Sequence, residues 1–464
     1  MSDQWIEHYS AHLDAGIALA NQGLHEQAIQ KYEAAIEVNP NVSVGYLNRG
    51  LALFGLKQLD EALQDLNKAI DLQPTLAMAY NNRGAVHRSL GQFDAAAKDY
   101  LKAIELAGDA MVDAHGNLAT YYFETKQYEL ARTYYEKAIA LQPDYALTHW
   151  NYGMCLLLFG EYAQGWREYH WRWKDAAYFA HHRVMDAMGA TLWLGQESLV
   201  GKTILLQAEQ GFGDMIQFCR YGPVLATQGA RVILEVNHEL VELCKSLVDI
   251  ALVISREDAL PSFDFYCPMM SLPLACATTL ATIPAPVRYL SSDPARTQKW
   301  AAKLGAKTKP RIGVVWSSDL HHSSSMSRSV PLGAFASIMS RDYEIVSLQR
   351  ATWPRDVPAL EASQMQHFES ELIDFSETAA LCELMDMVIS VDTSVAHLAG
   401  ALGKPVCILI HPNNDWRWLL DRSDSVWYPT AKLYRQKAMA NWDEVLAEVK
   451  IDIDKRLAET LHKN

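Results

Sequence analysis

The 464-residue chain has little of what would send it to a bilayer or a nucleic acid. No apolar run approaches the roughly 20 residues that a membrane-spanning helix needs. Basic residues are outnumbered, 41 against 55 acidic ones. The resulting net charge of −14 argues against nucleic acid or an anionic membrane as the main partner, although a local basic pocket remains compatible with it. The seven cysteines (Cys155, Cys219, Cys244, Cys267, Cys276, Cys382, Cys407) are scattered, odd in number and lack C-x-x-C spacing, which reads as free buried thiols in a reducing cytosol. The first stretch, MSDQWIEHYSAHLDAG, has no basic segment followed by an apolar one, so the expectation is a cytoplasmic protein without a secretory signal. Low-complexity tracts are also missing. What is present is core material: 50% of residues are hydrophobic and only 21% charged, too few for a disordered chain. The length suggests about three domains.

The first third repeats itself. Pro40, Pro74 and Pro143 each close a helical stretch (YEAAIEVNP, LNKAIDLQP, YEKAIALQP), and a fourth copy, YLKAIELAG, ends at Gly108. Successive copies are 34, 34 and 35 residues apart. A small residue (Gly16, Gly50, Gly84, Ala119) and then Ala28, Ala62, Ala96 or Ala131 recur upstream, as close packing of two helices in a hairpin requires. A fifth, incomplete copy starts near Tyr145. Period and pattern resemble the tetratricopeptide repeat, whose stacked hairpins curve into a superhelix with a concave groove.

Asn48, Asn82, Asn117 and Asn151 hold one position in successive copies, and Asp14 takes it in the first. The repeat places this position on the helix that lines the groove. An amide offers a donor and an acceptor, the pair a peptide backbone needs, so the column suits an extended polypeptide held without reading its side chains. The alternative is that these amides stitch neighbouring repeats together. The column resembles that of O-linked N-acetylglucosamine transferase.

After about residue 175 the pattern changes to strands alternating with helices, which implies parallel sheets covered on both faces. A linker and entry segment, running on from AAYFAHHRVMD to LVGK, precedes it. KTILLQAEQ, RVILEV and part of DFYCPMMSLPLA read as strands, with MIQFCRYGPVLATQGA and HELVELCKSL as helices between them. The pattern restarts after ATIPAPVRYLSSDPAR. There RIGVVW, YEIVSLQ, MVISV and PVCILI read as strands and PLGAFASIM, ETAALCELM and SVAHLAGALG as helices. A last helix, NWDEVLAEVKIDIDKRLAETL, closes the chain. The expected architecture is an α repeat superhelix (1–175) followed by α/β, two Rossmann-like domains (176–295 and 296–464) facing each other across a cleft in the GT-B arrangement.

Three loops leave strand ends with unusual chemistry, and ligands of such sheets bind beyond the carboxyl ends of strands. In EQGFGDMIQF, Gly211 and Gly213 permit a tight turn and close backbone approach, and Asp214 stands at the helix start after Glu209 and Gln210. Asp214 with Gln217 also fits a capping box, whereas a general base would take a proton from an acceptor hydroxyl. In VVWSSDLHHSSSMSRSVPL, Ser317, Ser318 and Arg328 suit a diphosphate. His321 and His322 are adjacent and lack helical metal-ligand spacing, so they read as loop residues. In SVDTSVAHLAGALGKPV, an apolar strand stops at Asp392-Thr393-Ser394, which are expected to cap a helix and leave room for a phosphate at its positive end. His397 lies one turn in, either as a ligand contact or as a core histidine. The DWRWLLDRSDSVWYP stretch either walls the donor site or packs the terminal helix, and HWRWK at His170 reads as interdomain packing.

These motifs resemble glycosyltransferase family 9, the lipopolysaccharide heptosyltransferases, and repeat-bearing bacterial proteins related to them. The family's glycine, aspartate and following proline match Gly213, Asp214 and Pro223, which implies Asp214 as the base. Its D-T-G-x-x-H-L-A motif, which holds the donor diphosphate, matches Asp392, Thr393 and 395–399, with Ser394 in place of glycine. Its hydroxyl pair and cation fall more loosely on Ser317, Ser318 and Arg328. The resemblance implies a glycosyltransferase that uses a nucleotide-diphosphate sugar as co-substrate, with Gln210 and Gly213 beside the acceptor. No D-x-D stands in a metal-holding position (DID at 452–454 falls in the terminal helix), so metal-independent chemistry with no further cofactor is expected. The expected acceptor is a polypeptide hydroxyl in the repeat groove. A saccharide or lipid acceptor, or an inactive repeat scaffold, are the alternatives.

Overall fold

The computed structural model describes residues 4–175, 185, 189–318, 328–413, 415–437 and 441–461. His321 and His322 lie outside the described residues. The chain forms two compact units, one of Met1–Cys155 with Trp171–Asp175, the other of Leu156–His170 with Ala176–Asn464.

The first unit is built of helical hairpins: α1 (Gln4–Ala20) with α2 (His25–Val38), α3 (Ser43–Gly55) with α4 (Leu59–Leu72), α5 (Ala77–Ser89) with α6 (Phe93–Ala107), and α7 (Val112–Glu124) with α8 (Tyr128–Leu141). The recurring small residues are where the hairpins close. A methyl group at Gly16 would come within 2.4 Å of the Tyr32 ring, and one at Gly84 within 2.7 Å of the Tyr100 ring. Ala28, Ala62, Ala96 and Ala131 are fully buried. Arg49 forks onto Asp65 with two bonds of 2.7 Å, and Arg83 repeats the pair on Asp99 one copy later, fixing the first helix of a hairpin to the second. Of the fifth copy, α9 (Ala146–Leu158) lies mostly in this unit and α10 (Tyr162–His170) belongs to the second.

The second unit holds two five-stranded sheets, all of whose pairings between strands are parallel. The first contains β1 (Thr191–Leu192), β2 (Thr203–Gln207), β3 (Arg231–Val236), β4 (Leu252–Ser255) and β5 (Phe265–Pro268) in the order β1-β5-β2-β3-β4. The second contains β6 (Arg311–Val315), β7 (Glu344–Ser347), β8 (Met387–Val391), β9 (Val406–Ile410) and β10 (Ala431–Arg435) in the order β10-β9-β8-β6-β7. β6, β8 and β9 are buried along their whole length, as strands of a sheet covered on both faces must be. The terminal helix Asp443–Leu461 covers the second sheet, with Val445, Leu446, Val449 and Ile453 in one core with Ile312, Val314 and Leu409. This is the GT-B architecture of two Rossmann-like lobes following a repeat array.

Several elements differ from the sequence expectation. MIQFCRYGPVLATQGA is two helices, Phe212–Phe218 and Tyr221–Thr227, not one. Pro223 has no N–H to give Cys219 and its ring would clash with that carbonyl, so the break falls between them. PLGAFASIM folds as a 3₁₀ segment, Leu332–Ile338. HELVELCKSL forms only a 3₁₀ turn and a single α turn, Val241–Cys244. β1, β4 and β10 were not foreseen, because each is short or lies at a sheet edge where polar residues interrupt the apolar run.

The strand orders decide where chemistry can sit. In the first sheet the winding reverses at β2, which has β5 on one side and β3 on the other. In the second it reverses at β6, flanked by β8 and β7. The loop after β2 is the Glu209–Asp214 segment, and those after β6 and β8 carry Ser317–Ser318 and Asp392–Ser394. All three therefore leave carboxyl ends next to a topological switch point, where parallel sheets open a crevice.

Candidate active site

Gly211 is the N-cap of the helix Phe212–Phe218, so Asp214 sits inside its first turn, and the Gly211 N–H donates to Asp214 Oδ2 at 2.9 Å. The box expected with Gln217 is not formed. Gln217 is fully buried and its Oε1 accepts instead from Arg417 Nε at 2.7 Å. Gln210 adopts the left-handed region at φ 54° and donates from Nε2 to the Tyr169 hydroxyl at 3.3 Å. That backbone conformation is costly for a side chain larger than glycine, a strain often kept at functional loops.

In the other lobe, the Ser317 N–H donates to Gln349 Oε1 at 3.2 Å, and Gln349 Nε2 donates to the Ser317 carbonyl at 3.1 Å. This holds the backbone of Ser317 while its Oγ stays buried without a hydrogen-bond partner. The Ser318 N–H donates to Ser329 Oγ at 3.2 Å. Thr393 is the N-cap of the helix Ser394–Ala401, but no side chain caps it. The Thr393 hydroxyl turns back to Ser390 Oγ at 3.0 Å. The expected side-chain cap is therefore absent, and the first N–H groups of this helix have no side-chain acceptor. Ser317, Ser318, Thr393 and Ser394 line one cavity of ≈ 480 Å³ together with Phe212 and Phe375. The two phenylalanine rings, one from each lobe, lie 5.0 Å apart.

The helices Phe212–Phe218 and Ser394–Ala401 meet. A Cβ at Gly213 would lie 2.9 Å from His397 Cδ2 and 3.6 Å from Ser394 Cα. His397 is buried, pairs through Nδ1 with the Tyr428 hydroxyl at 2.8 Å and stacks on Trp418 at 5.4 Å. Burial, then Arg417 and Arg220, hold its pKa well below the ordinary histidine value, so it is neutral. The structure thus places His397 in the contact between lobes and leaves it off the cavity lining.

The D-W-R-W run neither lines the cavity nor joins the core under the terminal helix; it packs against the other lobe and α10. Trp416 packs edge-on against Trp166 at 5.2 Å. Arg417 reaches the Glu209–Asp214 segment of the other lobe: its Nη2 donates to Asp214 Oδ1, and its Nε to Gln217, while its Nη1 donates to Asp415 Oδ1 at 2.8 Å. Burial raises the Asp214 pKa above the ordinary carboxylate value, Arg417 and the Gly211 N–H pull it down, and Asp415 and Glu209 push it up. Asp392 is driven up to about 6 by burial and by Asp415, against the pull of Arg328 and Arg417.

A second cross-lobe arginine was not foreseen. Arg220 is buried and donates to the Gln217 carbonyl at 2.7 Å, the Trp427 carbonyl at 2.6 Å and the Tyr289 hydroxyl at 2.9 Å. Its one hint in the sequence was the aromatic density around Trp427.

In the repeat unit, Asn48, Asn82, Asn117 and Asn151 fall on α3, α5, α7 and α9, all half-buried. Asn48 Nδ2 donates to the Val44 carbonyl of its own helix at 3.0 Å, and Asn117 Nδ2 donates to Asn81 Oδ1 of the preceding hairpin at 3.0 Å. Asn82 Nδ2 is buried and has no partner. Among the described residues, no three His, Cys, Asp or Glu side chains form a metal-holding group, and no helix is long and apolar enough to cross a membrane. None of the seven cysteines is in a disulfide, and six of them are buried.

Residues 372–437 match the family described as glycosyltransferase family 9 (heptosyltransferase). That stretch carries Asp392, Thr393, Ser394, His397 and Arg417. Tetratricopeptide repeat models match residues 9–42, 50–90 and 75–144. Protein FlbA of Caulobacter vibrioides is 24% identical over 334 residues, covering 66% of this chain and 54% of FlbA. The chain thus spans about half the length of this curated relative. Among solved structures, Pseudomonas aeruginosa pilF is similar at 17% identity, over 47% of this chain and 85% of that one, with a TM-score of 0.35. The tetratricopeptide protein TTC0263 of Thermus thermophilus is similar at 17% identity, over 39% and 97%, also at 0.35. The chain joins tetratricopeptide repeats to a stretch that matches glycosyltransferase family 9.

Proposed function

We propose that the protein transfers a sugar from a nucleotide-diphosphate donor to a hydroxyl of a polypeptide, with Asp214 as general base. The observation that carries this reading is the meeting of Gly213, from the first lobe, with Ser394 and His397 of the second. It brings the helix that carries Asp214 against the helix whose start borders the cavity. The acceptor oxygen attacks the anomeric carbon and passes its proton to Asp214. The bond from that carbon to the diphosphate oxygen breaks, and the diphosphate leaves with the electron pair. The uncapped N–H groups after Thr393 carry about half a positive charge, and Ser317 Oγ, Ser318 and Arg328 add donors. Together they stabilise the departing diphosphate without a metal. Gln210 and Gly213 flank the acceptor, and the repeat amides hold the polypeptide that carries it. A saccharide acceptor is the second reading, favoured by the heptosyltransferase description of the matching family.

The test is a thermal-shift series with UDP, GDP and ADP and their sugar conjugates, followed by nucleoside diphosphate release from the conjugate with the largest shift. A ligand at 100 times its dissociation constant stabilises by about 2.7 kcal/mol. Asp214→Asn is expected to keep the shift and lose turnover by about 10²–10⁴-fold. Wild-type turnover in Asp214→Asn, or no shift with any of these ligands, would overturn the reading. Glycosylated peptide in a mixed peptide and oligosaccharide acceptor screen separates the two acceptors.

A further inference from the structure

We propose that Arg417 is the positioning residue of the base, holding Asp214 from the opposite lobe so that the base is in register only while the lobes are docked. This rests on the assignment of Asp214 as base. Asp214 follows β2 of the first sheet and Arg417 follows β9 of the second, 203 residues away in sequence.

Each guanidinium nitrogen of Arg417 has its own partner: Nε on Gln217, Nη1 on Asp415 and Nη2 on Asp214. The guanidinium carbon lies 4.2 Å from the centre of the Trp416 ring and 5.8 Å from that of Phe218. Its plane is therefore fixed by three bonds and two rings. A planar fork has this capacity, and the point charge of a lysine does not. Asp214 is held at both oxygens, Oδ1 by Arg417 and Oδ2 by the Gly211 N–H. A carboxylate has about four lone-pair sites, so two remain for the acceptor proton. Burial pulls the Arg417 pKa down, but Asp415, Asp214 and Tyr169 raise it above its ordinary value on balance, so it stays charged and takes no part in proton transfer. The groups facing this pair are Asp415 and Glu209 around Asp214, and Asp415 and Tyr169 around Arg417. Asp392 and Arg328 lie one step further out.

The experiment uses the full chain and nucleoside diphosphate release from the sugar conjugate selected by thermal shift. In Arg417→Lys, kcat is expected to fall about 100-fold with KM for the conjugate unchanged, the scale of a misplaced catalytic group. In Arg417→Gly, added methylguanidinium is expected to restore part of kcat. In both, the acid limb of the pH–rate profile moves to higher pH, because Asp214 loses an oriented cation that favours its ionised form. A retained kcat and acid limb in Arg417→Lys would overturn the proposal, and so would a loss confined to KM, which would make Arg417 a donor ligand. If neither variant folds, Gln217→Leu, which frees the Nε end of the fork, decides by the same kcat and pH readouts. If Asp214→Asn turns over at the wild-type rate, the base assignment fails. If it is inactive while Arg417→Lys is unaffected, only the present proposal fails.

Discussion

Gly213 and His397 touch across the two lobes with no room for a side chain between them: a Cβ at position 213 would stand 2.9 Å from His397 Cδ2. The ring cannot yield, because Tyr428 bonds its Nδ1 and Trp418 stacks on its face. Gly213→Ala is therefore expected to destabilise the second unit by about 1–3 kcal/mol, the usual cost of overpacking. Gly211→Ala is the control. Its Cβ would find only Asp214 Oδ2, at 3.5 Å, and urea denaturation should show little change.

Ser317 gives a prediction with two opposite signs. Its Oγ is buried without a partner, and such a group destabilises the free protein by about 1–3 kcal/mol. Ser317→Ala is expected to raise the melting temperature of the free protein and to shrink the shift produced by the best nucleoside diphosphate. A hydroxyl kept only for packing would leave that shift unchanged.

Asp392 predicts a pH dependence. Its pKa rises from 3.8 to about 6 on folding, so the folded state favours the neutral acid. The contribution to stability is full below the unfolded value and is lost as pH rises through about 6. Between pH 4 and 7 the wild type should therefore lose stability relative to Asp392→Asn, and the variant should be the more stable of the two at pH 8. Melting curves of both proteins across that range check the sign, and parallel curves would refute it.

Much of the architecture could be read in the chain, and the reasons are local. RVILEV and MVISV became β3 and β8 residue for residue, because each is an apolar run of strand length bounded by polar or turn-forming residues. The repeat was legible because Gly16, Gly50 and Gly84 recur with their alanines at a fixed period. The loops bearing Asp214, Ser317 and Thr393 were legible because each interrupts a strand with small polar residues. Arg417 was not, since its role depends on a partner 203 residues away and its own neighbourhood reads as aromatic packing. The direction of the Thr393 hydroxyl was also hidden. A threonine at a helix start ordinarily caps it, and only the nearby Ser390 Oγ draws the hydroxyl elsewhere.

Arg220 has a mechanical consequence. Its guanidinium is buried in one lobe, grips the Trp427 carbonyl of the other and is braced by Tyr289 in the segment that joins them. Each hydrogen bond that such a cation gives up costs about 1.5–3 kcal/mol. Any opening that admits a nucleotide would therefore swing about this knot as a pivot, and the gap would widen with distance from it.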